Sequence, residues 1–286
     1  MKPFHSQRGF TLIELIIVIV IMGVIGGMVS IFIKSPIDGY FASARRSAMT
    51  DVADTTMRRM SREIRTALPQ SVTSDAVKHC LEFIATKTGG RYRGTDVAPT
   101  VGTAMVFSAA PALVESGSFH MFGDNSLLPV DQQIVAGDVI VVGNTGQPEL
   151  NAYLQGNTAT VTGVTVLSPT DSNPETTITI TPGAFPNSAS GSLRFQVIPG
   201  GKQSIVSYVC SAGNLHRSVR ALDPLGGSVA NTCPSDGPIL VSGVTDCAFD
   251  ETKVDNGLAL VTMRLRLKDK TEVITLVHEV HMGVSP

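Results

Sequence analysis

Tryptophan is absent from the 286 residues, and aromatic side chains make up only 5% of them. Any hydrophobic core must therefore be built mainly from aliphatic groups. An excess of one charge is missing as well: 22 Lys and Arg against 24 Asp and Glu leave a net charge of -2. A nucleic-acid binder carries a strong basic excess, so no nucleic-acid partner is expected. Charged residues of both signs reach only 16%, while Thr, Ser, Gly and Val crowd the C-terminal two thirds. That is the composition of a β-rich, extracytoplasmic body. The length allows a membrane anchor plus one sizeable body.

Patterns that would carry catalysis are lacking too. His278-Glu279-Val280-His281 places its histidines three apart on an expected strand, whereas a zinc protease needs two four apart on a helix. Gly200-Gly201-Lys202 lacks the remainder of a phosphate-binding loop. Asp250, Asp255 and Asn256 read as a plain polar turn ahead of a calcium loop. The expectation is a non-enzymatic protein with no metal site and no cofactor.

Cysteine is scarce but even in number: Cys80, Cys210, Cys233 and Cys247, at spacings of 130, 23 and 14. No close thiol pair of the zinc type is present, so disulfides in an oxidising compartment are expected. Four cysteines permit three pairings, and the sequence does not choose among them. Loop length favours Cys210 with Cys233, which closes a short loop, and Cys80 with Cys247, which would tie the start of the body to its last strands.

What is abundant lies at the N-terminus. After a short leader with Lys2 and Arg8, a run of 24 residues from Phe10 to Ile33 is apolar except for Glu14. As a helix it spans about 36 Å, enough to cross a hydrocarbon core about 30 Å thick. A secretory signal peptide has an apolar region of only about 7–15 residues ending in a small-residue cleavage site, and this run is too long. Lys34, Arg45 and Arg46 follow it, so basic residues flank both ends and charge alone does not orient the span. A cytoplasmic leader with the cysteine-bearing body outside satisfies both ends.

Glu14 is the anomaly in that run. A central Asp in a membrane helix costs about 2.5–3.5 kcal/mol on insertion scales, somewhat less near an interface. Something must offset a carboxylate there. The nearest available cation is an α-amino group at Phe10, created if a peptidase cuts after Gly9.

From residue 34 to 68 the helical period continues and becomes amphipathic, with Met49, Val52, Thr56, Met60, Ile64 and Ala67 forming one stripe. From Arg45 to Arg65, six arginines and three acids fill the rest, a net positive face that reads as solvated. Pro69 ends the helix. Inside it, Pro36 removes a hydrogen bond and Gly39 follows, so a kink or a locally melted turn is expected there. Beyond Pro69 the helical period gives way to short strands: 80–85, 138–142, 158–167, 176–181, 193–198, 204–209 and 214–219. Val261, Met263, Leu265 and Leu267 alternate with polar residues, Asp269-Lys270 turns the chain, and Ile274, Leu276, Val280 and Met282 share a face on the return. Residues 86–133 carry no readable pattern.

Arg8-Gly9-Phe10-Thr11-Leu12-Ile13-Glu14, followed by an apolar helix, resembles the prepilin junction of type IV pilins and type II secretion pseudopilins. Several body segments are similar to minor pilins of the mannose-sensitive haemagglutinin (MSHA) pilus and to J-type pseudopilins. They are Arg59-Met60-Ser61-Arg62-Glu63-Ile64-Arg65 leading to Ala67-Leu68-Pro69; Cys80-Leu81-Glu82-Phe83; Gly137-Asp138-Val139-Ile140-Val141-Val142; Val206-Ser207-Tyr208-Val209-Cys210; and the closing stretch from Leu276 to Met282.

The resemblance implies an α+β, pilin-like fold: a long transmembrane and amphipathic helix packed on an antiparallel sheet. The expected domains are a cleaved leader (1–9), a transmembrane helix (10–33), its amphipathic continuation (34–68) and a β-rich body (69–286). It also implies that a prepilin peptidase cuts between Gly9 and Phe10 and methylates the Phe10 amine, and that Glu14 pairs with that amine on a neighbouring subunit. The partners would be other major and minor pilins or pseudopilins and an inner-membrane assembly platform. The location would be the inner membrane with the body in the periplasm, then the pilus at the cell surface. A J-type pseudopilin of a type II secretion system and a tip adhesin are the other readings.

Overall fold

The computed structural model describes residues 9–94, 104–105, 107–108, 116–167, 174–182, 185–189, 193–222, 232–253 and 259–282. Asp255 and Asn256 lie outside them.

Leu12–Arg65 forms one helix of 54 residues, α1. Its first half is a continuous apolar run and its second an amphipathic one, so helical period and length agree. Helix is retained at every residue across Pro36 and Gly39, without the locally melted turn expected there. The carbonyl of Ile64 closes the far end on the Ala67 N–H at 3.0 Å, and Pro69 follows.

The strands after α1 are β1 (Thr73–Ser74), β2 (Cys80–Ile84), β3 (Thr88–Arg91), β4 (Phe107–Ser108), β5 (Ser116–Phe122) and β6 (Val139–Val141). Then come β7 (Thr158–Leu167), β8 (Glu175–Pro182), β9 (Phe185–Pro186), β10 (Arg194–Ile198), β11 (Ile205–Ser211) and β12 (Asn214–Arg220). The last four are β13 (Ile239–Ser242), β14 (Val244–Lys253), β15 (Ala259–Asp269) and β16 (Glu272–Met282). They assemble as β1-β2-β11-β12-β13, β3-β10-β6-β7-β8-β5, β14-β15-β16 and a small parallel β4-β9 pair. Pairing in the three larger sheets is antiparallel.

The helix packs on the closing hairpin, chiefly on β16 and β15. Ala53, Met57, Met60 and Ile64 from α1 meet Leu81, Phe83, Val206 and Tyr208 of one sheet and Val261, Met263, Leu265 and Val280 of the other. The stripe read from the sequence is buried at Thr56, Met60, Ile64 and Ala67; it departs at one position, where Ala53 is buried and Val52 is 48% exposed. Two ion pairs pin the helix laterally, Glu63 to Arg217 at 2.8 Å and Arg46 to Glu272 at 2.6 Å. A second core fills the six-stranded sheet around Phe119, Ile140, Ile178 and Phe195. Leu68, Ile84, Val141, Ile198 and Ile205 join the two.

The disulfides correct the loop-length preference. They join Cys80 to Cys233, with Cα atoms 6.0 Å apart, and Cys210 to Cys247, at 6.5 Å. The reason is strand alternation, since successive side chains point to opposite faces. Cys80 stands opposite Val209 in the β2–β11 register, so it shares a face with Val209, while Cys210 shares the other face with Tyr208. That second face looks onto β14 and meets Cys247. The first looks onto the segment holding Cys233, where buried Glu82 also accepts bonds from Arg220 at 2.8 Å and Ser207 at 2.9 Å.

Candidate assembly site at the N-terminus

The helix begins at a reciprocal cap. Thr11 is extended, and its hydroxyl accepts from the Glu14 backbone N–H at 3.3 Å. In return Glu14 Oε2 accepts from the Thr11 N–H and from Thr11 Oγ1, each at 3.0 Å. This is a capping box, in which the first turn's unpaired donors are met by side chains. Thr11-Leu12-Ile13-Glu14 spells the box in the sequence, and that signal would have supplied Glu14 with a local partner before any neighbouring chain was invoked. The box uses one carboxylate oxygen only. Oε1 of Glu14 makes no hydrogen bond among the described residues and stays open to a cation.

Every described side chain from Gly9 to Phe41 is exposed. Phe10 stands 88% exposed immediately before the cap. The apolar window of the helix has a mean hydropathy of 2.9 and buries nothing against its own chain. A Cβ added at Gly23, Gly26, Gly27 or Gly39 would meet nothing within 4 Å. No packing inside the molecule requires those glycines. The structure thus places Gly9, Phe10, Glu14, Pro36 and Gly39 along one protruding rod. The four cysteines lie far along the chain, in the body, joined in two disulfides.

Residues 4–30 match the prokaryotic N-terminal methylation motif. That stretch is similar to the N-terminus of type IV pilins and pseudopilins. The match spans the leader and the first part of α1; comparison with curated proteins and with solved structures returns no match. The motif implies processing by a prepilin peptidase and assembly with other pilins, and it accords with anchoring in the inner membrane before entry into a pilus. Pilins are generally structural, non-enzymatic proteins. With the long helix lying against antiparallel sheets, the fold is α+β and pilin-like.

Proposed function

We propose that the chain is a minor pilin of an MSHA-like type IV pilus, of the MshO kind, and acts by assembly rather than catalysis. Residues 1–9 are the leader, removed by prepilin peptidase between Gly9 and Phe10, with methylation of the new Phe10 amine. Residues 10–33 hold the subunit in the inner membrane, residues 34–68 continue the helix onto the body, and residues 69–286 form the body in the periplasm. From the membrane the subunit enters a priming or tip complex with other pilins.

The observation that carries this reading is the bare rod. About 45 Å of helix, counted at 1.5 Å per residue over 12–41, exposes every side chain described along it. Lipid covers such a surface before assembly, and neighbouring helices cover it afterwards. Small residues let helices approach closely in that setting, which gives Gly23, Gly26 and Gly27 a reason the isolated subunit lacks. Glu14 is suited to two tasks at once: Oε2 caps its own helix, and Oε1 meets the Phe10-type amine of an adjoining subunit. Removing one partner of such a buried pair typically costs about 3–5 kcal/mol. The MSHA assignment is supported by the resemblance of the body segments, which lie outside the motif. The test is Glu14→Val in the native host: cleavage persists and incorporation into sheared fibres falls, whereas normal incorporation of the uncleaved or cleaved variant contradicts the pairing.

A further inference from the structure

At the far end of α1 the body carries a groove of about 500 Å³ between the helix terminus and the β3–β10 ribbon. Three arginines line it, Arg65, Arg91 and Arg194, with the polar groups of Thr66, Thr88 and Gln196 between them. No Asp or Glu is among its described lining residues. In the β3–β10 register Arg91 stands directly opposite Arg194, and Gln196 stands opposite Gly89. Arg65 and Arg91 make no ion pair among the described residues, and both are exposed. The groove floor is bare backbone for a packing reason: a Cβ at Gly89 would lie 2.8 Å from the Phe195 carbonyl, and one at Gly90 2.8 Å from Met121 Sδ and from the Phe195 ring.

We infer that this groove is an oxyanion site that binds an acidic polysaccharide through its carboxylate or sulfate groups. Guanidinium groups are suited to planar, bidentate recognition of oxyanions, and the threonine hydroxyls and glutamine amide suit the sugar hydroxyls between them. The volume falls within the range of small-ligand sites, roughly 300–1,000 Å³. Duplex DNA fits less well, because it is bound along an extended basic stripe by a chain with excess positive charge, and this chain carries -2. The position matters for access. Arg65 is the last residue of a helix about 80 Å long at 1.5 Å per residue whose first residues are in the membrane, so the groove lies at the pole remote from the anchor. That placement rests on the proposed function; the binding itself does not.

The experiment uses the full chain in detergent micelles and fluorescent heparin, polygalacturonate, dextran and a short DNA duplex. Heparin or polygalacturonate binds with an affinity that falls as salt rises, and dextran does not bind. Replacing two of the three arginines, Arg65→Gln with Arg91→Gln, weakens that binding by roughly tenfold or more, as the loss of two charge-assisted contacts requires. A control pair on the outer face of the hairpin, Arg264→Gln with Lys268→Gln, leaves it within about twofold, less than one lost charge-assisted contact removes. Heparin distinguishes a sulfate preference and polygalacturonate a carboxylate one. Equal binding by the groove variant, equal loss in the control pair, or DNA bound with the same dependence on Arg65 and Arg91 overturns the inference. Because the readout is ligand binding by purified protein, its failure leaves the fibre-incorporation result untouched.

Discussion

Oε2 of Glu14 accepts two hydrogen bonds from Thr11, one from the backbone N–H and one from the hydroxyl, both at 3.0 Å. The carboxylate is therefore partly satisfied within its own chain. Under the proposed function, its cost in the lone precursor is reduced, and the neighbour's amine would act on a carboxylate already held in place by its own helix. Preorganisation of this kind would make the proposed pairing depend on Thr11 as well as on Glu14.

Substituting Thr11→Val removes the hydroxyl and keeps the side chain's shape. The backbone N–H contact to Glu14 survives, so the helix start loosens without losing the carboxylate. Incorporation into sheared fibres, measured by immunoblot against cleaved subunit in the membrane, is expected to fall by less than with Glu14→Val. A variant indistinguishable from Glu14→Val would assign Thr11 a part in cleavage or recognition instead.

The disulfides make a prediction that separates two pairings. Peptide mapping under non-reducing conditions is expected to recover Cys80 linked to Cys233 and Cys210 linked to Cys247, with Cys210–Cys233 absent. Loss of either bridge by paired serine substitution should lower stability by about 2–5 kcal/mol in denaturant titration.

Met60 and Val52 test where the helix meets the body. Met60 is 1% exposed and sits in the main core, whereas Val52 is 48% exposed. Met60→Ala should cost about 2–5 kcal/mol through lost burial and an unfilled cavity. Val52→Ser should stay within about 0.5 kcal/mol, the usual range for a surface change. Thermal midpoints of the two variants, compared in one detergent, check this.

Alkaline pH should weaken the body. Burial, followed by the Glu63 charge, holds the Tyr208 phenol well above the usual tyrosine range, and burial with the Glu82 charge does the same for Tyr153. Both groups stay protonated in the folded chain after the unfolded chain has begun to ionise. Stability is thus complete below about pH 10, the ordinary tyrosine value, and falls above it. The slope is at most about 1.4 kcal/mol per pH unit for each phenol. Tyr208→Phe should flatten the fall in denaturation midpoint between pH 10 and 11, and an unchanged slope would contradict the assignment to Tyr208.

The long helix was legible because two signals coincided in it, an uninterrupted apolar run and then a period of three to four. Its packing face is legible at Thr56, Met60, Ile64 and Ala67 and misses only at Val52, where the buried neighbour is Ala53; alanine contributes little to a hydrophobic pattern. The later strands were legible too: 158–167 agrees to the residue, and the 261–282 hairpin buries the face its alternation marks. The segment 86–133 was not, and for identifiable reasons. β3 contains Gly89-Gly90, which carry no side-chain pattern, and β5 (Ser-Gly-Ser-Phe-His-Met-Phe) holds its place by pairing with β8, far along the chain. At the site, Gly9, Phe10 and Glu14 stood out through their chemistry. Thr11 is marked only by the capping pattern, a weaker signal than the lone charge of Glu14 beside it. The disulfide pairing failed for a topological reason: sequence separation does not reveal which face of β2 or β11 a cysteine occupies.

Intact mass of the native protein, extracted from membranes without denaturing cleavage, bears most directly on the central claim. The expected species begins at Phe10 and carries one added methyl group on its amine. A chain still starting at Met1 and unmodified would leave Glu14 with only Thr11 for company, and the rod would be an ordinary membrane anchor.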